Sequence, residues 1–242
     1  MNIKVLIIGP EDTPYEKGFF FFDFIMPDNY PFAPPKVKFC TLDPNVRFNP
    51  NLYVDGKVCL SIINTWSGPS WTSAQTLSSV LLSIQSILNE FPLRNEPGFE
   101  NEKDERCQIY SDIIKHETFR VAVKNVLNNI PVTFETFVPI VNDYFMNNIS
   151  WYMAKLEELS SKFEKKILYS PIYSMKLVCN YKNIRKELVT YYTNICPKDK
   201  LLDFKSIDQN IEELEKNESV ENKEIKKKKV RTPSKLAKKY PE

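Results

Sequence analysis

The sequence predicts an α+β domain: an antiparallel meander packed on helices, with a mainly helical extension after it. Three observations predict this. Turn-punctuated, β-rich runs fill residues 1–40. A segment beginning near Ser73 carries apolar residues on one helical face, and from Asp104 onward helical spacing dominates the pattern. No internal repeat is visible.

The first β-rich run, Ile3 to Ile8, is closed by Gly9-Pro10 and the polar turn Glu11 to Pro14. Gly18 opens a second strand, Phe19 to Met26, which is dominated by aromatic residues and ended by Pro27. A rigid, proline-dense corner spans Asp28 to Pro35, and Lys36 to Cys40 then alternates polar and apolar residues as a half-buried strand does. Next come two turns, Asn49-Pro50-Asn51 and Asp55-Gly56, just before Cys59 in a short apolar run. Proline fixes φ and glycine accepts φ > 0, so both are strong turn signals.

The loop Asn64 to Trp71 leads to Ser73, the expected N-cap of a helix running to about Glu90. Leu77, Val80, Leu81, Ile84, Ile87 and Leu88 share one face of that helix, Phe91-Pro92 ends it, and Arg94 to Gly98 turns. Asp104 to about Asn128 reads as one long helix striped by Ile109, Ile113, Ile114, Val121 and Val126. Pro131 and Pro139 bracket Thr133 to Phe137. Further helices are expected at about Val141 to Asn148, Ser150 to Tyr169, Lys182 to Tyr192 and Phe204 to Glu218. The pair Trp151-Tyr152 reads as packing. The stretch Glu221 to Glu242, with Lys226 to Lys229, Lys235, Lys238 and Lys239, lacks a core-forming pattern and is expected to be disordered. It reads as a nuclear-localisation signal, a weak nucleic-acid patch or a solvated charge run. The domain plan is therefore a core over 1–130, a helical extension over 131–220 and a basic tail over 221–242.

The composition narrows the function. A net charge of +2 on 242 residues argues against a general binder of polyanions, so nucleic acid is not an expected partner. No apolar run is long enough for a membrane helix, and the apolar start ends in Gly9-Pro10 rather than a small-residue cleavage site. The five cysteines are scattered with no Cys-x-x-Cys pair, and His116 is the single histidine. That pattern speaks against a disulfide scaffold and against a zinc site, so no metal is expected. It favours the reducing interior of a cell, cytoplasm or nucleus. It also weakens any cysteine–histidine hydrolase, because His116 would have to be the base and no motif surrounds it.

What remains is Cys59. A chain that turns twice before a cysteine can fold the Asn51 amide back over the sulfur, placing a nucleophile beside a donor able to hold an oxyanion. From spacing alone the competing reading is a small buried hydrophobe, since free cysteine is among the most buried residue types.

The order of motifs decides between them. Gly9-Pro10-x-x-Thr13-Pro14-Tyr15 with Gly18, Tyr30-Pro31-Phe32-x-Pro34-Pro35, Pro50-Asn51, Gly56-x-Val58-Cys59-Leu60, Trp71 and the helix holding Leu81 to Ser86 fall in one sequence at compatible spacing. Residues 1 to about 100 thereby resemble the ubiquitin-conjugating enzyme family. Within it they are most similar to the Z-type enzymes and to the conjugating domain of the giant inhibitor-of-apoptosis ligase. The likeness rests on Arg47 to Asn51, Cys59 to Ile62, Thr65 to Gly68 and Asn95 to Glu100, with His116-Glu117-Thr118 and Arg120 to Val123 extending it.

The resemblance implies transfer of ubiquitin, or a ubiquitin-like protein, through a thioester on Cys59 to a target lysine. Asn51 would stabilise the oxyanion or brace the loop that does, and Glu96 would be an acidic gate easing deprotonation of the lysine. Glu96 as a capping or solvated glutamate is the alternative. Phe32, with Trp71 and Ala74, would form an apolar patch for a ligase, with Phe32 in the core as the alternative. The partners implied are the modifier, an activating enzyme, a ligase and a protein substrate. No cofactor is implied, because ATP is used by the activating enzyme.

Three departures from the family pattern stand out. Asn49 replaces the usual turn histidine, as in the Z-type. Ser61 replaces an acidic residue. The chain begins inside what resembles the second strand, which reads as truncation and would leave Ile3 to Ile8 with unpaired amides. Two alternatives remain. One is conjugation of another modifier, since Cys-Leu-Ser-Ile also resembles the SUMO-conjugating type; the other is a non-catalytic binding variant.

Overall fold

A computed structural model describes residues 1–101, 105–197 and 202. The expected meander forms from β1 (Asn2–Ile8), β2 (Phe19–Ile25) and β3 (Lys36–Phe39), antiparallel in the order β1-β2-β3. The register sets Lys4 opposite Asp23, and their side chains pair at 2.7 Å. Within this sheet β1 pairs with β2 only.

The aromatic strand departs from a half-buried pattern. Phe19, Phe20, Phe21, Phe22 and Phe24 are all fully buried, although a strand sends successive side chains to opposite faces. Both faces of β2 are therefore covered. On one, Phe20 meets the rings of Tyr15 and Phe48 at 5.6 and 5.5 Å. On the other, Phe19 meets Tyr144 at 5.8 Å, while Phe21 meets Phe134 at 4.8 Å and Phe137 at 5.9 Å. Burying each ring contributes about 1.5–3 kcal/mol, so residues beyond 130 supply part of the core of the meander. Met1–Ile195 accordingly forms one compact unit, and the boundary drawn at residue 130 from sequence falls inside it.

Helix α1 (Leu77–Ile87) buries Val80 and Ile84 and turns Leu82 outward. Its cap is Thr76 rather than Ser73: the Thr76 hydroxyl accepts from the Ser79 N–H, and the Ser79 hydroxyl accepts from the Thr76 N–H, both at 3.3 Å. Ser73 lies inside a preceding turn closed by the Gln75 N–H donating to the Thr72 carbonyl at 3.0 Å. Helix α2 (Glu105–Glu117) runs into a π-helical stretch, Thr118–Asn125, and then α3 (Val126–Asn128), so the expected rod is continuous but locally widened.

A 3₁₀ turn, Val132–Phe137, introduces α4 (Val138–Asn147), followed by α5 (Ile149–Phe163). The helix expected to reach Tyr169 stops at Phe163. A short antiparallel hairpin follows, β4 (Ile167–Tyr169) with β5 (Lys176–Val178), before α6 (Tyr181–Ile195). Three-residue strands are too short to show a period of two, which is why the sequence read as one helix. The helix expected at Phe204 to Glu218 and the basic tail lie outside the described residues.

His116 has a structural role. Its Nδ1 lies 2.9 Å from Glu117 Oε1, its Nε2 accepts from the Asn180 N–H at 3.3 Å, and its ring meets Tyr181 edge-on at 4.8 Å. The single histidine thus ties α2 to the start of α6. Among the described residues no helix is long and apolar enough to cross a membrane.

Candidate functional site

The turn before Cys59 is built from polar side chains buried beneath it. Tyr15, fully buried, donates its hydroxyl to the Phe48 carbonyl at 2.7 Å. Asn49, also fully buried, donates through Nδ2 to the Tyr15 hydroxyl at 2.9 Å and to the Ile87 carbonyl at the end of α1 at 2.7 Å. Its Oδ1 accepts from the Asn51 N–H at 3.0 Å and from Asn95 Nδ2 at 3.4 Å. The replacement of histidine by Asn49 therefore leaves the turn well supported: this amide serves as donor and acceptor at once, linking α1, the turn and the 3₁₀ segment Pro92–Asn95.

Asn51 is locked to Cys59 on two levels. Its Nδ2 donates to the Cys59 carbonyl at 2.7 Å, and its own carbonyl accepts from the Cys59 N–H at 2.9 Å. The Asp55-Gly56 turn brings the strands back: Gly56 sits at φ +92°, its N–H donates to the Tyr53 carbonyl, and the Phe39 N–H donates to the Gly56 carbonyl at 2.8 Å. Downstream, the Thr65 hydroxyl bonds the Val58 carbonyl and the Leu60 N–H at 2.7 and 3.0 Å, folding the next loop onto the same run. Cys59 is a free cysteine held between these anchors.

Two expectations change here. The sulfur expected to act as a nucleophile is closed off in this conformation: Cys59 is only 2% exposed, as the competing reading of a small buried hydrophobe would have it. The run Val58-Cys59-Leu60 is buried throughout. The Asn51 amide is committed to the Cys59 carbonyl rather than turned to the sulfur, and its Oδ1 is buried without a hydrogen-bond partner among the described residues. An orphaned buried acceptor costs about 1–3 kcal/mol.

Glu96 follows the 3₁₀ segment. Its carboxylate accepts the hydroxyl of Tyr173, which comes from the loop between β4 and β5. The Tyr173 ring lies 4.0 Å from the Arg47 guanidinium, which also stacks on Tyr53 at 3.8 Å. Arg47 Nη2 donates to the Pro50 carbonyl at 2.6 Å, and the Arg47 N–H reaches Met175 Sδ at 3.3 Å. Burial first, and then the hydrogen bond to Glu96, push the Tyr173 phenol far above its ordinary range. It remains a donor at neutral pH. A cleft of about 550 Å³ opens beside this contact, lined by Arg47, Val54, Tyr173, Met175 and Lys176 among others.

The three patch residues have different settings. Phe32 is 79% exposed, so it lies outside the core, and Ala74 is exposed. Trp71 is buried at 8%, donating its indole N–H to the Pro31 carbonyl at 2.7 Å with the Tyr30 ring 6.0 Å away. It supports the proline corner from below rather than forming its surface. Sequence reasoning missed Tyr173: it stands 77 residues beyond Glu96, on a hairpin with no periodic signal. Arg47 was visible only as part of a motif. Among the described residues no cluster of histidine, cysteine and carboxylate side chains could hold a metal.

Residues 1–105 match the family model described as ubiquitin-conjugating enzyme. Over 155 residues, covering 63% of the chain and 50% of the relative, the chain is 50% identical to ubiquitin-conjugating enzyme E2 Z of Xenopus tropicalis. It is 56% identical over 128 residues to ubiquitin-conjugating enzyme E2 Z of Homo sapiens, covering 52% of the chain and 36% of that protein. It is 41% identical over 168 residues to the human dual E2 ubiquitin-conjugating enzyme/E3 ubiquitin-protein ligase BIRC6, covering 64% of the chain and 3% of that protein. The match thus spans at most half the length of each of these relatives.

Proposed function

We propose, on the premise that the chain belongs through residues 1–105 to the ubiquitin-conjugating enzyme family, that it carries ubiquitin as a thioester on Cys59 and passes it to a lysine. The observation carrying this reading is the double clamp of Asn51 on Cys59, through the 2.7 Å side-chain bond and the 2.9 Å backbone bond. It fixes the backbone of the residue whose sulfur would carry the acyl group.

In the first step the Cys59 thiolate attacks the thioester carbonyl of ubiquitin on the activating enzyme. A new carbon–sulfur bond forms and the activating enzyme's thiolate leaves. In the second step an uncharged lysine amine attacks the Cys59 thioester, an oxyanion forms and collapses, and the Cys59 thiolate leaves as the amide bond closes. Asn51 acts as the brace of the turn in this scheme, because its amide is already committed to the Cys59 carbonyl. Glu96 acts as the acidic gate that helps the amine shed its proton. With Cys59 2% exposed, acylation requires the flanking segments to part. Phe32 is the exposed element for a ligase, Trp71 bracing the proline corner beneath it and Ala74 adding exposed apolar surface. The chain needs no cofactor of its own, ATP being consumed by the activating enzyme, and it works in the cytoplasm or nucleus.

A charging assay tests the reading. Purified chain, activating enzyme, ATP and ubiquitin should give an adduct that a thiol reductant removes and Cys59→Ala abolishes. Running ubiquitin against ubiquitin-like modifiers in the same mixture identifies the one carried. The burial of Cys59 favours a second reading, a partner-binding variant without transfer. Absence of an adduct with every modifier would select it.

A further inference from the structure

The loop of the β4–β5 hairpin, beyond residue 130, meets the candidate gate. Its contacts with the core are specific: the Tyr173 hydroxyl donates to Glu96, the Tyr173 ring lies 4.0 Å from the Arg47 guanidinium, and Met175 Sδ accepts from the Arg47 N–H at 3.3 Å. Arg47 in turn holds the Pro50 carbonyl at 2.6 Å, next to the Asn51 that clamps Cys59. Tyr173 thus touches two chains of contact, one ending at the carboxylate and the other at the turn.

The loop that carries Tyr173 has an uncommon backbone for its residue types. Tyr173 and Ser174 both adopt left-handed conformations, at φ +63° and +53°, and neither is glycine. Two such residues in succession are disfavoured for L-amino acids and persist only where the surroundings hold them. This loop, which turns β4 into β5, carries the phenol that meets Glu96. Tyr110 closes the arrangement from behind, its ring 6.3 Å from that of Tyr173 and its hydroxyl donating to the Arg47 carbonyl at 2.8 Å.

We propose that Tyr173 is a positioning residue for amine attack: its hydroxyl fixes the Glu96 carboxylate, while its ring fixes Arg47 and with it the Pro50-Asn51 turn. This rests on the transfer reading above. The segment beyond residue 130 would then complete the machinery of the second step, aligning the group that receives the lysine proton as the amine attacks. Two functions of one side chain also separate cleanly, since the hydroxyl serves Glu96 and the ring serves Arg47.

The test is single-turnover kinetics on the full chain, measuring charging and then discharge to free lysine. Tyr173→Phe keeps the ring and removes the hydroxyl, so discharge should fall about tenfold, a fraction of what full acid–base assistance supplies, while charging changes less than twofold. The deficit should shrink as pH climbs toward the ordinary lysine value of about 10.4, because an amine that loses its proton unaided no longer needs the carboxylate. Glu96→Gln should show a similar pH-dependent deficit, and adding Tyr173→Phe to it should cost nothing more. Tyr173→Ala removes the ring as well and should slow charging too, which the phenylalanine variant restores. Discharge by Tyr173→Phe at the wild-type rate, or a double variant whose losses multiply, would overturn the proposal. A wild-type chain that never charges would instead remove the transfer reading beneath it.

Discussion

Asn49→Ala is the substitution whose cost can be worked most directly from the turn. The side chain makes four hydrogen bonds from a fully buried position. Most of its partners keep another bond on truncation: the Tyr15 hydroxyl still donates to the Phe48 carbonyl at 2.7 Å, and the Ile87 carbonyl still accepts from Asn95 Nδ2 at 2.9 Å. The Asn51 N–H does not, because Asn49 Oδ1 is its acceptor. One orphaned backbone donor costs about 1–3 kcal/mol, and the bonds lost elsewhere add about 1 kcal/mol net. A total near 3 kcal/mol lowers the melting temperature by about 6–12 °C for a chain of this size.

Thermal unfolding followed by circular dichroism measures it. Asn49→Asp is the sharper companion: it keeps an acceptor for the Asn51 N–H but places carboxylate oxygen where Nδ2 donated to the Ile87 carbonyl, and should be at least as destabilising. If Asn49→Ala melted within about 2 °C of wild type, the turn would not depend on this amide.

Other perturbations follow from the same contacts. Gly56→Ala should cost about 3 kcal/mol or more, because φ is +92° and the new Cβ would sit 2.7 Å from the Phe39 carbonyl oxygen. Gly98→Ala, at φ +86° with nothing within 4 Å, should cost only about 1 kcal/mol; equal losses in urea unfolding would contradict this. Burial alone would raise the Glu117 carboxyl, but hydrogen bonds from His116 and Arg120, with the charge of the Arg120 guanidinium, outweigh it and hold it below its usual value of 4.5. A carboxylate lowered by folding stabilises the chain above its unfolded value and loses that contribution as pH falls through the folded one. Glu117→Gln should therefore be less stable at pH 7, with the gap narrowing below about pH 4.5, and a gap constant with pH would refute the assignment. Phe32→Ala should leave the melting temperature within about 2 °C while weakening ligase-stimulated discharge, because the ring is 79% exposed.

The legible part of this molecule was whatever its turns punctuate. Gly9-Pro10, Pro27 and the Asp28 to Pro35 corner separate three short strands, and the structure places them accordingly. The π-helical widening at Thr118–Asn125 left no trace in the sequence, since an apolar stripe at near-helical spacing suits either winding. The all-phenylalanine run of β2 could not announce that both its faces are covered: a period-two reading needs polar residues on one side, and the covering rings of Phe134, Phe137 and Tyr144 lie more than a hundred residues along the chain. At the site, Asn51, Cys59 and Glu96 were visible because they are carried by local motifs. The partners that hold them, Asn49 from within and Tyr173 from outside, depend on tertiary contacts. The burial of Cys59 is likewise a property of the folded chain.

The most direct test is to find where the acyl group sits. Cys59→Ser charged with activating enzyme, ATP and ubiquitin should yield an oxygen ester that survives reductant, and peptide mass analysis should map it to position 59. An adduct mapping instead to Cys40, Cys107, Cys179 or Cys196, or one that forms equally well after Cys59→Ala, would contradict the account.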